Sequence, residues 1–305
     1  MSLVSIVIVN WNGSKDTLEC VKSLDKINYR NYETIIVDNG SSDYERKILV
    51  DALGDKCTII ELKKNLGFAL ANNVGIMLAI QRHAEFILLL NNDTVVEGMF
   101  LDEMLLSMHK DPSVGIGGCK VLLYDDRDRI WYAGGKLNMY IRHKTEGLYQ
   151  IDKGQFNVEK GTDFVAGACM LIRTSIFEKT GLLPKEYFLG WEDIDFCFRA
   201  RNIGFKCWYS PSAKIWHKAS SSYKRHSWSY LQVFLGFRNR VIMRYKYLSK
   251  RKFILFLGLQ LFFVIPVHVL YYIAVYKDLH RVKNLFKGLM CGLSDMKERR
   301  IMYKI

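Results

Sequence analysis

Short apolar runs alternate with amphipathic stretches along the first half of the chain. Residues 3–9 (LVSIVIV) form a β-branched run that ends in Asn10-Trp11-Asn12-Gly13. That pattern predicts a buried strand with a loop at its C-terminal end. Residues 15–27 place Leu18, Val21, Leu24 and Ile27 at helical spacing, and residues 33–38 (ETIIVD) predict a second strand closed by Asn39-Gly40-Ser41-Ser42. A helix to about 53, a strand at 57–62, a helix over 69–83 and a buried strand at 85–90 (EFILLL) continue the alternation. Alternating strands and helices predict an α/β fold with a mostly parallel sheet. Ligands of such sheets bind beyond the carboxyl ends of the strands. The polar residues stand at those ends: Asn10, Asp38, and Asn91 to Asp93.

The second half is less regular. Residues 114–140 read as strands with a Gly134-Gly135 turn, and 141–160 as a polar, mobile loop. A strand at 168–172, a short helix near 174–180 and an acidic helix start at Trp191-Glu192-Asp193-Ile194-Asp195 follow. Strands at 205–209 and 213–217 end at His217. No internal repeat or low-complexity segment occurs.

The C-terminal stretch differs in kind. Residues 253–276 (FILFLGLQLFFVIPVHVLYYIAVY) contain no Asp, Glu, Lys or Arg. As a helix they reach roughly 36 Å, enough for a bilayer core. Lys250-Arg251-Lys252 precede them and Lys277 follows. With both flanks basic, the charge rule for loops sets no orientation. Pro266 sits near the middle, so a single crossing and a kinked, re-entrant segment with both ends cytoplasmic both stay open. A buried core helix is the plain alternative, against which the basic flanks and Tyr271, Tyr272 and Tyr276 argue. Residues 279–293 set Leu279, Val282, Leu285, Phe286, Leu289 and Leu293 against Arg281, Lys283 and Lys287, the pattern of a basic amphipathic helix on anionic lipid.

Charge now takes on meaning. The 305 residues carry a formal +13, yet residues 218–305 hold 18 basic and 3 acidic side chains, and residues 1–217 hold 26 against 28. A near-neutral body with a basic tail suits a polyanion: nucleic acid or an anionic membrane. A half-apolar composition excludes a disordered or collagen-like chain. Seven cysteines, odd in number and without a CxxC pair, fit reduced thiols in the cytoplasm rather than a disulfide framework. The N-terminus lacks the pattern of a signal peptide.

Several phosphate and catalytic motifs are absent: GxGxxG after the first strand, GxxxxGK[ST], GxSxG and HExxH. What the chain offers is carboxylates at strand ends. Asp93, just after a buried strand, could anchor Mg²⁺ or Mn²⁺ bridging a diphosphate, or simply cap a turn. Glu192, Asp193 and Asp195 at a helix start could supply a general base, or only complement the helix dipole. His217, taken alone, reads as structural unless a second ligand such as Asp93 lies beside it.

Six elements in order, Val9-Asn10-Trp11-Asn12-Gly13, Val37-Asp38-Asn39-Gly40-Ser41-Ser42-Asp43, Asn65-Leu66-Gly67-Phe68-Ala69 with Asn72, Leu90-Asn91-Asn92-Asp93-Thr94, Gly190-Trp191-Glu192-Asp193-Ile194-Asp195 and Trp216-His217, give the chain its likeness. Across residues 3–217 it resembles family 2 glycosyltransferases, nearest the rhamnosyltransferase-like and galactofuranosyltransferase-like branch. The resemblance implies a GT-A catalytic domain over 1–217. A basic helical connector at 218–249 and a membrane-associating region at 250–305 would follow it. It also implies an inverting, hexosyltransferase-type reaction, a nucleotide-diphosphate sugar donor and a divalent metal, Mn²⁺ or Mg²⁺. By the same likeness Asp38, Asn10 and Trp11 line the nucleotide pocket. Asn65, Gly67, Asn72, Asn91 and Asn92 stand on the donor side. Asp93 matches the last acid of the family's metal motif and His217 a metal-ligand histidine. Asn91 stands where the first acid is usual. Asp193 matches the catalytic base, with Trp191, Glu192 and Asp195 supporting it or binding acceptor.

The expected partners are the donor, a lipid-linked or surface glycan acceptor and an anionic membrane at the cytoplasmic face. Homo-oligomerisation stays open. Nucleic acid is not expected, because the basic residues adjoin an uncharged apolar segment. Two other readings stand beside this one: an inactive family member acting as a membrane-bound partner subunit, for which Asn91 speaks, and a basic nucleic-acid-binding protein.

Overall fold

The computed structural model describes residues 2–219 and 226–302, with side chains for all of these except 226–229 and 297–302. The elements run β1 Val4–Asn10, α1 Ser14–Leu24, β2 Tyr32–Asp38, α2 Asp43–Leu53, β3 Thr58–Glu61, α3 Phe68–Gln81, β4 Phe86–Asn91, β5 Thr94–Val96, α4 Phe100–Lys110 and β6 Val114–Leu123. Then come β7 Ile130–Tyr132, β8 Gly135–Leu137, β9 His143–Thr145, β10 Lys160–Thr162, β11 Cys169–Arg173, α5 Phe177–Thr180, α6 Glu192–Asn202 and β12 Lys206–His217. The C-terminal helices are α7 His226–Tyr247, α8 Lys250–Leu259, α9 Ile265–Ala274 and α10 Leu279–Met302. A π-helical stretch, Gln260–Val264, joins α8 to α9.

The described residues separate into two units. One comprises residues up to Lys136, Lys144–Phe188 and the chain from Glu192 through β12; the other comprises Leu137–His143, Leu189–Trp191 and the C-terminal helices.

The first unit is built on one sheet of order β10-β12-β6-β11-β4-β1-β2-β3. β1 pairs parallel with both β2 and β4, and β2 with β3. β6 and β12 are also parallel to each other, while β11 runs antiparallel between β4 and β6. The expected mostly parallel α/β sheet is therefore present; it is mixed because β11 runs antiparallel within it, as do the short strands β5 and β10 against β12 and β7 against β6. Continuous apolar runs suit strands covered on both faces: Ile6, Val7, Ile8, Ile35, Ile36, Ile87 and Leu88 are all fully buried. The Ser42 hydroxyl accepts from the Glu45 N–H to cap α2.

Three features depart from the sequence pattern. First, β5 and α4 lie within 94–113, a stretch with no predicted element. The helical spacing is there nonetheless: Phe100, Leu101, Met104, Leu105 and Met108 are buried on one face of α4. Second, 141–160 is bonded down rather than loose. The fully buried Lys120 side chain reaches out to Asp152 at 2.7 Å and to Asn157. Third, the two strands at 205–209 and 213–217 are one strand, β12, with a register shift between Ser210 and Lys214. Pro211 lies inside that shift, where a residue without an N–H costs no ladder bond.

In the second unit, α7, α8–α9 and α10 share two apolar clusters. Val233, Phe237, Ile265, Tyr272 and Leu285 form one, and Val241, Phe253 and Phe256 the other. Arg238 pairs with Asp295 at 2.6 Å. Among the described residues, Lys250–Ala274 is the one helix long and apolar enough to cross a membrane by length and composition. Residues 220–225 of the expected connector, and the final residues 303–305, lie outside the described residues.

Candidate active site

The site begins at the carboxyl ends of the parallel strands. Register places Asn10 of β1 beside Asp38 of β2, and Val9 beside Asn91 of β4. Both Asn10 and Asp38 are fully buried. The Asn10 amide donates to Asp38 Oδ1 at 2.9 Å and to the Ser41 hydroxyl at 3.1 Å, while its Oδ1 accepts from Thr17 at 2.8 Å. Asn92 closes the network, donating to Thr17 Oγ1 at 3.1 Å. Ser41 also gives its backbone N–H and its hydroxyl to Asp38. A buried carboxylate is tolerable only with such donors around it. Trp11, next in the chain, is 36% exposed at the rim.

The second group hangs from Asn39. Its amide donates to Asn65 Oδ1 at 3.0 Å, and its Oδ1 accepts from Leu66 N at 2.8 Å. Asn65 Oδ1 accepts in turn from Gly67 N at 2.8 Å. Gly67 precedes α3 with φ +84°, and a Cβ there would collide with the Phe188 carbonyl. Only glycine meets both demands. Asn72 is turned inward: it is 1% exposed and donates to the Phe68 carbonyl at 2.9 Å.

The third group is the pair at the β4–β5 turn and the end of β12. Antiparallel pairing sets Thr94 opposite His217. His217 Nε2 lies 3.0 Å from Asp93 Oδ1 and 3.3 Å from the Asn91 amide. Burial pushes the Asp93 carboxyl up, but His217 and Lys218 more than offset it, so its pKa lies below the ordinary value. Trp131 packs edge-on against the His217 ring at 4.7 Å between centroids. Asn91 Oδ1 is buried with no hydrogen-bond partner among the described residues. A carboxylate oxygen, an imidazole nitrogen and an orphaned amide oxygen together form a donor set that Mg²⁺ or Mn²⁺ accepts. Among the described residues no three His, Cys, Asp or Glu side chains converge. Such an ion would rely on Asp93, His217 and Asn91, with the remaining positions left to water or phosphate.

Asp193 is the acid at the start of α6 that faces this edge. Its Oδ2 accepts from Gly167 N at 2.9 Å and its Oδ1 from its neighbour Ile194 N at 2.8 Å. Burial pushes its carboxyl above the ordinary value, and those N–H groups only partly counter it. Gly167 is the link to the metal-side residues, because the next carbonyl, Ala168 O, accepts from Asn91 N at 3.0 Å. The other acids of this helix start differ. Asp195 is fully buried, holding Arg199 at 3.0 Å and the Tyr187 hydroxyl at 2.9 Å. Arg199 ties the Thr180 and Leu182 carbonyls, so Asp195 serves that loop. Glu192 is 4% exposed. Trp191, in the second unit, is 6% exposed, with the Arg244 guanidinium 4.4 Å above its ring and His143 edge-on at 4.9 Å.

Sequence reasoning did not single out Thr17, Ser41, Asn39 or Gly167 as site residues. Ser41 and Asn39 lie within the run Val37-Asp38-Asn39-Gly40-Ser41-Ser42-Asp43. Thr17 and Gly167 act through positions that only the folded chain brings close. A cavity of about 570 Å³ lies at the opposite, amino-terminal edge of the strands, lined by Ser2, Tyr29, Glu85 and Asp102 among others. It holds none of these residues.

The model for Glycosyl transferase family 2 matches residues 5–181. A low-salt glycan biosynthesis hexosyltransferase, Agl10 of Haloferax volcanii, is 27% identical over 248 residues, covering 81% of this chain and 77% of that protein. The dTDP-rhamnosyl transferase RfbF of Shigella flexneri is 24% identical over 219 residues, 71% of this chain and 69% of its own. Among solved structures, the mannosyltransferase PcManGT from Pyrobaculum calidifontis, in complex with GDP-Man and Mn²⁺, superposes with TM-score 0.56 at 14% identity over 95% of this chain and 75% of that one. GalNAc-T7 with UDP, GalNAc and Mn²⁺ gives TM-score 0.59 at 18% identity over 71% of this chain, which spans 44% of it. These structures show a shared fold, the GT-A fold.

Proposed function

The chain belongs to glycosyltransferase family 2, and on that premise we propose that it is an inverting, metal-assisted enzyme. It moves a hexose-type sugar from a nucleotide-diphosphate donor to a hydroxyl of a lipid-linked or cell-surface glycan. The observation that carries this reading is the run of bonds Asn91–Ala168–Gly167–Asp193, which ties a strongly held carboxylate to the Asp93–His217 pair. The donor types named for the relatives, and the Mn²⁺ in the neighbouring structures, support the donor and metal classes.

Asp193 takes the proton of the acceptor hydroxyl while that oxygen attacks the anomeric carbon. The bond from that carbon to the diphosphate breaks in the same displacement, so the configuration inverts. The raised pKa of Asp193 suits a base, because a more basic carboxylate takes the proton more readily. Asn10, Asp38, Asn39 and Asn65 orient the nucleotide end. Asp93, His217 and Asn91 would hold the divalent cation. When bound, it supplies Lewis-acid neutralisation of charge on the departing diphosphate. The seven free cysteines and the basic, apolar C-terminal region support a place at the cytoplasmic face of a membrane.

The test is nucleoside-diphosphate release with Mn²⁺ or Mg²⁺ in wild type and Asp193→Asn. A fall of about 10²–10⁴-fold is expected for loss of a general base; undiminished turnover overturns the assignment. Asn91 favours the second reading, a partner subunit without turnover. Metal-dependent donor binding without product from any glycolipid acceptor would establish that reading instead.

A further inference from the structure

The helical stretch from α8 to α9 is two-faced in a way that its composition does not announce. Phe253, Phe256, Gln260, Ile265 and Tyr272 are buried in the second unit. The opposite face is uniformly apolar and open: Leu255, Leu261, Phe262, Phe263, Val267 and Leu270 are each 55–72% exposed. Contiguous exposed apolar surface of this kind marks an interaction site. Basic side chains stand at both ends. Lys250, Arg251 and Lys252 lead into the helix, Lys277 follows it, and Lys283 and Lys287 project from α10; all six are exposed. An apolar stripe framed by cations is complementary to anionic lipid.

The inner face decides how the helix meets that lipid. Gln260, in the π-helical stretch near the middle of the apolar segment, accepts from the buried Arg240 at 3.1 Å. It also donates to the Tyr140 and Ile141 carbonyls, which belong to a non-helical loop. The clusters shared with α7 and α10 keep those helices alongside, together with the Arg238–Asp295 pair. A crossing would carry a guanidinium, an ion pair and irregular backbone into the hydrocarbon at its centre. All three are strongly disfavoured there. Lying in the plane, the same helix immerses only its open face and leaves the polar face above the lipid.

We infer that α8–α9 is a monotopic insert: its Phe262–Phe263 face enters one leaflet of an anionic membrane, and both ends remain on the side of the catalytic unit. This deepens the membrane association proposed above and is read without donor or acceptor, so its failure is separable from failure of the sugar-transfer reading.

The full-length protein is sedimented with preformed vesicles of phosphatidylcholine containing 30% phosphatidylglycerol, and with phosphatidylcholine alone. Binding to the anionic vesicles is expected to fall at least tenfold for Phe262→Glu/Phe263→Glu, with the thermal unfolding profile unchanged. In parallel, Lys250→Cys and Lys277→Cys are labelled with a membrane-impermeant maleimide after the protein is added outside the vesicles, and the modified peptides are identified by mass. Both positions label from outside if the insert is monotopic. Protection of one end shows a crossing and overturns the inference. So does unchanged binding of the double variant, or a lipid-free dimer that uses this face and ignores vesicles.

Discussion

At the scale of single residues, Asp93 and Asp193 show how one side-chain type is shifted in opposite directions by its surroundings. Asp93 is held below the ordinary carboxylate pKa of 3.8 despite its burial, with the His217 imidazole 3.0 Å away. Its contribution to stability is present above that ordinary value and is lost as pH falls through the lower, folded one. Asp193 is pushed the other way by burial. In the proposed role of base it must be unprotonated, so the acid limb of the kcat/KM profile is expected above pH 3.8, the ordinary value. A limb at or below that value would remove Asp193 from the role. His217→Ala is expected to raise the Mn²⁺ concentration for half-maximal activity by at least about tenfold, since it would strip one of the proposed ligands from a site with one carboxylate. A metal titration checks it, and chelation of the metal is expected to abolish turnover in both proteins.

At the scale of elements, the turns are the sensitive points. Gly67 carries φ +84° against the Phe188 carbonyl, and the next N–H, of Phe68, donates to that carbonyl at 2.7 Å. Gly67→Ala is expected to cost about 1–3 kcal/mol and to lower the melting temperature. An unchanged melting temperature would show that the entry to α3 relaxes freely. A similar strain lies before α6, where Gly190 has φ +77° and Trp191 φ +81°. A tryptophan there is an outlier that its neighbours must hold. Within the second unit Asn239 donates to the Leu189 and Gly190 carbonyls. Arg244, fully buried, covers the Trp191 ring and donates to the Asn138 and Met139 carbonyls. Arg244→Ala is expected to cost about 2–4 kcal/mol from the lost charged hydrogen bonds and ring contact. Calorimetry measures it, and Arg244→Lys should recover only part, because lysine lacks the planar guanidinium that covers the Trp191 ring while donating in fixed geometry to both carbonyls.

At the scale of the whole molecule, charge and apolar surface are segregated along the chain. The chain after position 217 holds 18 basic residues and a helix with an open apolar face, and the body before it is nearly neutral. Membrane affinity should therefore fall with salt but not vanish, because screening weakens the ionic part and leaves the apolar part. Vesicle binding measured from low to high salt tests this, and complete release by salt would mean that the apolar face is not engaged. Truncation after Ser249 should release the protein. It also removes α8–α10, which complete both apolar clusters of the second unit, so loss of structure in α7 is expected with it by circular dichroism.

The alternating runs of 3–9, 33–38 and 85–90 were enough to determine a parallel α/β core, because a strand covered on both faces must be continuously apolar. Motif order over residues 3–217 was enough to point to the family. The antiparallel β11 and the single β12 were not legible, since strand direction and a bulge depend on partners distant in sequence. Nor was the division of labour within Glu192-Asp193-Ile194-Asp195. Three acids look alike as letters. Only the fold sets Asp195 against Arg199 and Tyr187, and Asp193 against the Gly167 N–H beside Asn91. The apolar segment 253–276 was visible as composition, but its two faces were not, because burial is a property of the neighbours that tertiary packing supplies.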